Sequence, residues 1–242
     1  MSAYRTPAAV PLTPVQLVQF GISLGLTAEQ IQEAVLNLSK SREQEGAKTF
    51  ASGDFATNRR NWFMDWYYKL GFSLQIPVPP VPDEEYKRRQ AMNQDLFYRP
   101  PTSEVSYEAL MKAVGQDEHW TVVDESDRKK IVWEPAQTGY WFWAEVAQEC
   151  PRLGTSWNKL TKEQRLNLLS LEEYALVWWV HKAATSVMLD NRTWSWLRTR
   201  FGPGALRANE SIGRVCVGRW DDDALAYPYD CAGGRCAEVV KM

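Results

Sequence analysis

Two histidines, four cysteines and one run of three aspartates are the residues of this chain most apt for chemistry. His181 stands beside Trp178, Trp179 and Val180 in an apolar stretch, and His119 precedes a short β-rich run. Packing or a surface position is the ordinary role of such residues. A zinc site wants cysteines and histidines in closely spaced pairs, whereas Cys231 and Cys236 have no second pair. Asp221, Asp222 and Asp223 could suit a hard cation. In a strand, however, Asp222 would point away from its neighbours, and the Asn, Gly or Glu that a calcium loop needs at fixed offsets are missing. A solvated loop is the expectation. There is no Walker loop, dinucleotide glycine fingerprint, nucleophile elbow or H-E-x-x-H. Gly202-Pro203-Gly204 is a turn, because Pro203 lacks the amide that a phosphate cradle would use. The sequence predicts no catalytic residue, no metal and no cofactor.

The 242 residues are 45% hydrophobic and 24% charged, which suits one or two globular domains with a sizeable core. Net charge is −2 and the basic residues are scattered. That balance disfavours a nucleic-acid or anionic-membrane binder, which shows a basic stripe. Most of the twelve tryptophans are expected in the core. The segment MSAYRTPAAVPLTP has no basic region followed by an apolar run. No segment reaches the roughly 18 apolar residues of a membrane helix. The expectation is a chain without membrane insertion, cytoplasmic by default or carried on a virion or cell surface. Four cysteines do not make a disulfide scaffold, although a bridge within the tail is left open.

Residues 14–40 read as two short helices, the second opened by the capping-box spacing of Thr27 and Gln30. Residues 41–58 read as a loop. Residues 58–72 read as a helix with Trp62, Trp66 and Leu70 on one face. The prolines of IPVPPVPDEE (76–85) forbid helix and central strand, and predict an extended connector lying along a surface. A helix is expected over 83–96, a turn at Pro100-Pro101 and a helix over about 104–114. Short β-rich runs follow at 119–123, 129–135 and 139–147. The stretch 169–189 is the strongest helix, 193–199 is compact and aromatic, and strands and turns alternate to the end. The expected fold class is α+β. A helical N-terminal region (1–115) precedes a mixed domain (116–242).

The tail has a regular skeleton and arbitrary filling. Its pattern RTWSWL…ALRA…GRV.V.RWD.DDA…GGR.AEVV, from Arg192 to Val240, resembles the C-terminal end of variable proteins of diversity-generating retroelements. The likeness is greatest to those of candidate-phyla bacteria and their mobile elements or phage. The resemblance covers roughly the last fifty residues, with 138–147 and 169–180 fitting less specifically, and does not reach the first hundred or so. It implies a C-type-lectin-like C-terminal domain of the formylglycine-generating-enzyme type, with a variable region about 204–236. In that family a retroelement copies a template into the 3′ end of the gene and randomises adenines. Carried over, the frame residues are Trp194, Trp196, Leu206, Arg207, Gly213, Arg214, Val215, Val217, Trp220, Gly234 and Arg235. The ligand-binding, diversified positions are Asn209, Glu210, Ser211, Cys216, Gly218, Arg219, Asp221, Asp223, Tyr227, Tyr229 and Asp230. The sequence departs from the pattern at Gly233 and Cys236, where simpler members read Leu-Gly-x-Arg.

Strand alternation points the same way. Cys216, Gly218 and Trp220 share one face, and Val215, Val217 and Arg219 the other. Asn, Ser, Gly, Asp, Tyr and Arg are also the residues that paratopes use. The expected function is non-enzymatic binding of varied targets, proteins rather than sugars, with Tyr227, Tyr229, Arg219 and Trp220 as anchors. The alternatives are an attachment or structural protein of a phage or cell surface, docked or self-associated through the N-terminal helices, and an oxidase of the formylglycine-generating type. The oxidase would need a reactive cysteine pair or histidine ligands.

Overall fold

Asp54 begins the first helix of the main body. Its carboxylate accepts the backbone N–H of Ala56 and the hydroxyl of Thr57, satisfying donors that an α-helix leaves open at its start. In the computed structural model the described residues are Thr27, Gln30, 54–116, 129–202, 204–211, 213–220 and 231–240. The chain divides into two compact units, Met1–Gly53 and Asp54–Met242. In the first, Thr27 and Gln30 bond reciprocally, backbone N–H to side-chain oxygen, as the capping-box spacing predicts. The other expectations for 14–40 lie outside the described residues.

Helix α1 (Phe55–Lys69) buries Ala56, Arg59, Phe63 and Tyr67, one stripe at helical spacing. Trp62, Trp66 and Leu70, expected on one face, are partly buried and pack beside that stripe. The stripe contains an arginine because β1 supplies its partners: Arg59 pairs with Asp95 at 2.8 Å and donates to the Leu96 carbonyl. The proline-rich stretch is extended as predicted from Ile76 to Pro82, where it buries Ile76 and Val81, but its last three residues, Asp83 to Glu85, open a helix. The indole N–H of Trp141 holds it by donating to the Pro77 carbonyl at 3.0 Å.

Helix α2 (Asp83–Ala91) has acids in its first turn and arginines in its last, the arrangement the helix dipole favours. It ends earlier than expected. Asn93 takes a left-handed φ of 54°, which stops the helix, and β1 (Gln94–Arg99) follows at once. Leu96 and Phe97 are fully buried there. Helix α3 (Tyr107–Ala113) is capped by Ser106, whose hydroxyl accepts the Ala109 N–H. The expected run at 119–123 lies outside the described residues. β2 (Ile131–Val132) and β3 (Tyr140–Glu145) match the other two β-rich runs. A 3-10 turn (Trp157–Lys159) and α4 (Lys162–Leu166) lead to α5 (Leu171–Thr185).

Helix α5 starts with a full capping box between Ser170 and Glu173. It buries residues nearly all round, because sheet strands and helices of the main unit enclose it. After it come β4 (Trp194–Phe201), β5 (Gly204–Ser211), β6 (Arg214–Trp220), β7 (Ala232–Gly234) and β8 (Ala237–Val239). One sheet runs β1-β3-β8, antiparallel; the other runs β2-β4-β5-β6, with β7 parallel to β4. The α+β class is therefore as expected.

The domain division differs from the expected one. β1 pairs with β3 along its whole length, from Gln94 opposite Glu145 to Arg99 opposite Tyr140. Side chains of α1, β1, β3, α5, β5 and β6 share one core. The sheet thus crosses residue 115, and the unit begins at Asp54. Among the described residues no helix is long and apolar enough to cross a membrane.

The second glycine of the tail has a packing reason. A Cβ on Gly233 would lie 2.3 Å from the Pro151 carbonyl oxygen, a backbone atom that cannot swing away. Gly233→Ala is expected to cost about 1–3 kcal/mol, the usual penalty of overpacking. The shift of a urea unfolding midpoint measures it. An unchanged midpoint would mean that Pro151 has room to move.

Candidate binding face

The β5–β6 hairpin is held from three sides. Gly213 takes φ 74° in its turn. There the Glu210 carboxylate accepts the Gly213 N–H, and the Lys182 ammonium of α5 donates to the Gly213 carbonyl at 3.1 Å. Gln116 exchanges two hydrogen bonds with the backbone of Val215. The register sets Ala208 opposite Val217, Asn209 opposite Cys216 and Glu210 opposite Val215.

Period-two alternation divides this ladder. Leu206, Ala208, Val215 and Val217 join the main core. Glu210 shares their side and is 8% exposed. Unlike the other positions of β5 expected to be diversified, it faces inward and its carboxylate closes the turn. Arg207, Asn209, Ser211, Cys216 and Gly218 lie on the other side. That side is partly covered. The Arg207 guanidinium stacks 4.0 Å above the Trp194 ring. A Cβ on Gly218 would meet Arg207 Nε at 3.3 Å and the Trp194 ring at 3.4 Å. Arg207, expected in the frame, therefore belongs to the outer face and roofs Gly218. Any larger residue at 218 must push that flexible side chain aside.

Burial differs among the positions expected to be diversified. Arg219 is exposed, Asn209 and Ser211 are partly buried, and Cys216 and Gly218 are buried. Asn209 Oδ1 is buried with no hydrogen-bond partner among the described residues, a costly state unless something supplies a donor. Asp221, Asp223, Tyr227, Tyr229 and Asp230 lie outside the described residues, as does the Trp220 side chain.

Behind the face, the last frame residue anchors the tail. Arg235 and Asp190 are both fully buried and pair at 2.6 Å. Asp190 also accepts hydroxyls from Tyr174 at 2.9 Å and Ser195 at 2.6 Å, and from Thr193. Arg235 donates its remaining hydrogens to the carbonyls of Glu145 and Ala147. The cluster so ties α5, β3, β4 and the tail together.

All four cysteines are thiols. Cys150 touches Ser195 at 3.1 Å in this cluster. Burial and the Asp190 charge push its thiol up to about 12, so it is a packed, inert group at neutral pH. Burial also lowers His181 below the ordinary imidazole value, and His119 lies outside the described residues. Among the described residues no group of three or more His, Cys, Asp or Glu could hold a metal ion.

One polar cluster has no forerunner in the sequence reading. At the start of α5, Glu173 accepts from Arg198, from the Tyr140 hydroxyl at 2.7 Å and from the Ser170 N–H at 2.8 Å. Burial pulls its pKa upward, but the charge of Arg198 and these bonds outweigh it, leaving the carboxyl below its ordinary range. Glu172, one residue earlier, shifts the other way: burial raises it more than Arg99 lowers it. The S-x-x-E spacing at Ser170 marks the cap, but no local signal marks partners so distant in sequence.

No protein-family model matches the chain, and neither a curated protein nor a solved structure is significantly similar to it.

Proposed function

We propose that the chain is a non-enzymatic binding protein whose C-terminal face is diversified by a retroelement, on a C-type-lectin-like domain, to recognise varied protein targets. The observation that carries the reading is the division of the β5–β6 hairpin. Leu206, Val215 and Val217 of the frame are at most 1% exposed. Asn209, Ser211, Cys216 and Gly218 share the opposite side, running from the turn at Gly213 toward the end of β6, after which Asp221 to Asp230 follow in the chain. A surface that tolerates replacement must not be needed for folding, and this hairpin is fixed by its inner side, its turn and Gln116.

A difference in tolerance follows. Ser211→Ala, on the outer side, and Arg219→Ala, on the inner side but exposed near the end of β6, are expected to change stability by less than about 1 kcal/mol. Leu206→Ala is expected to cost about 2–5 kcal/mol. Equilibrium unfolding of the three variants compares them, and equal losses would remove the basis of the division.

Binding itself is tested by a library on the full chain. Asn209, Ser211, Cys216, Gly218, Arg219, Asp221, Asp223, Tyr227, Tyr229 and Asp230 are randomised and selected against several unrelated proteins. Specific binders to more than one target, differing at these positions, are expected. A folded library that yields no binder would overturn the reading.

A further inference from the structure

The 3-10 turn at Trp157–Lys159 and helix α4 hold three cations together. The segment is anchored by the buried Trp157, whose ring lies 6.1 Å from that of Trp196 in β4. Trp194 packs against the same cluster. Arg165 of α4 folds back over this anchor. Its guanidinium carbon is 5.2 Å from the Trp157 ring. Its Nε donates to the Trp157 carbonyl at 3.2 Å, and Nη2 donates to the Asn158 carbonyl at 3.3 Å. Nη1 has no hydrogen-bond partner among the described residues. A guanidinium held by a ring and two neutral carbonyls keeps its full charge and is oriented before anything binds.

Two lysines stand beside it. The bonds to residues 157 and 158 bring Arg165 next to Lys159. Lys162 precedes Arg165 by three residues on α4, so the two project from one side of the helix. Both lysines are exposed, and none of the three cations forms an ion pair among the described residues. The acid of the segment, Glu163, points elsewhere, about 100° around the helix from Lys162 and about 160° from Arg165. Helix α2 shows the contrast. It also carries three cations, but Lys87 is paired with Glu84, and Arg88 and Arg89 with Glu85.

We infer that Lys159, Lys162 and Arg165 form a docking surface for an acidic protein segment, a stretch bearing several Asp or Glu side chains. Charge complementarity selects the partner. Three separate cations, one of them with a single open nitrogen, suit carboxylates spaced along a peptide; a phosphate group favours a guanidinium whose whole fork is open. A nucleic acid strand would also want rings on which to stack its bases, and Trp157 and Trp196 are at most 2% exposed. The surface uses none of the positions proposed for the diversified face, so it stands or falls separately from that reading.

The test uses the full chain and a dye-labelled deca-glutamate peptide, followed by fluorescence anisotropy, with a ten-nucleotide oligothymidylate for comparison. Saturable binding of deca-glutamate is expected, weakening at least about tenfold between about 0.05 and 0.5 M salt. Lys159→Glu combined with Lys162→Glu is expected to weaken it at least about tenfold as well, with an unchanged urea midpoint, since both side chains are exposed. Ser211→Ala, on the hairpin, is expected to leave the affinity unchanged. Absence of saturable deca-glutamate binding would overturn the assignment. So would binding that survives the double substitution, and tighter binding of the oligothymidylate would assign the surface to nucleic acid instead.

Discussion

Replacing Arg235 by methionine is expected to cost about 3–5 kcal/mol, the loss seen when one partner of a buried ion pair is removed. The guanidinium and the Asp190 carboxylate are both inaccessible to solvent. Without Arg235, Asp190 keeps only hydroxyl donors from Tyr174, Ser195 and Thr193. The carbonyls of Glu145 and Ala147 lose their donor as well. Combining Arg235→Met with Asp190→Asn removes the uncompensated charge, so the double variant is expected to be more stable than additive single losses predict. Urea unfolding of the four proteins measures this coupling. A loss under about 1 kcal/mol for Arg235→Met would show that the tail is held by its strands alone.

The second large effect is at Glu173. Glu173→Gln is expected to cost about 3–5 kcal/mol at neutral pH, because Arg198 then faces no full charge at that position. The pH dependence has a definite sign. The folded-state value of Glu173 is depressed. Its contribution is thus complete above the unfolded carboxyl value, about 4.3, and is lost as pH falls through the lower folded value. The variant should show a weaker acid loss of stability below about pH 4 than the parent. Glu172 has the opposite sign, since its folded value is raised. Its contribution is present below the unfolded value and is lost as pH rises through the folded one. Glu172→Gln is therefore expected to be within about 1 kcal/mol of the parent at neutral pH, or more stable. Stability measured against pH for both variants separates the neighbours. Parallel acid limbs for the parent and Glu173→Gln would refute the role given to Glu173.

How much of this was legible in the sequence depends on whether the signal is local. Helix α5 was legible from the long apolar run within 169–189, although the helix itself spans Leu171–Thr185. The extended stretch at 76–82 was legible because proline fixes the backbone residue by residue. The alternation of Val215 and Val217 with Cys216 and Gly218 gave the two sides of β6 directly, and the register agrees. Three things depended on partners far away. Residues 94–96 read as helix because Gln, Asp and Leu are compatible with one; only the match with β3 makes them strand. The inward stripe of α1 left no signal, because Arg59 is a poor core residue until Asp95 and Leu96 receive it. The domain division failed for the same reason, as β1 belongs to a sheet completed by β3 and β8.

The face itself was half legible. Its inner side followed from period two. Its outer covering did not, because the Arg207–Trp194 stack over Gly218 joins neighbouring strands through side chains whose rotamers no sequence pattern gives. Glu210 is the instructive case. It stands among residues that look arbitrary, yet its carboxylate closes the turn at Gly213.

The central claim is that a fixed frame carries replaceable residues. Sequencing the 3′ end of the gene across a natural population tests it most directly. The account predicts substitutions concentrated at adenines in the codons of Asn209, Ser211, Cys216, Gly218, Arg219, Asp221, Asp223, Tyr227, Tyr229 and Asp230. The codons of Leu206, Glu210, Val215, Val217 and Arg235 should be spared, and a near-copy of the segment, mismatched at those adenines, should lie close by. Low and uniform variation along the tail, with no such copy, would contradict it.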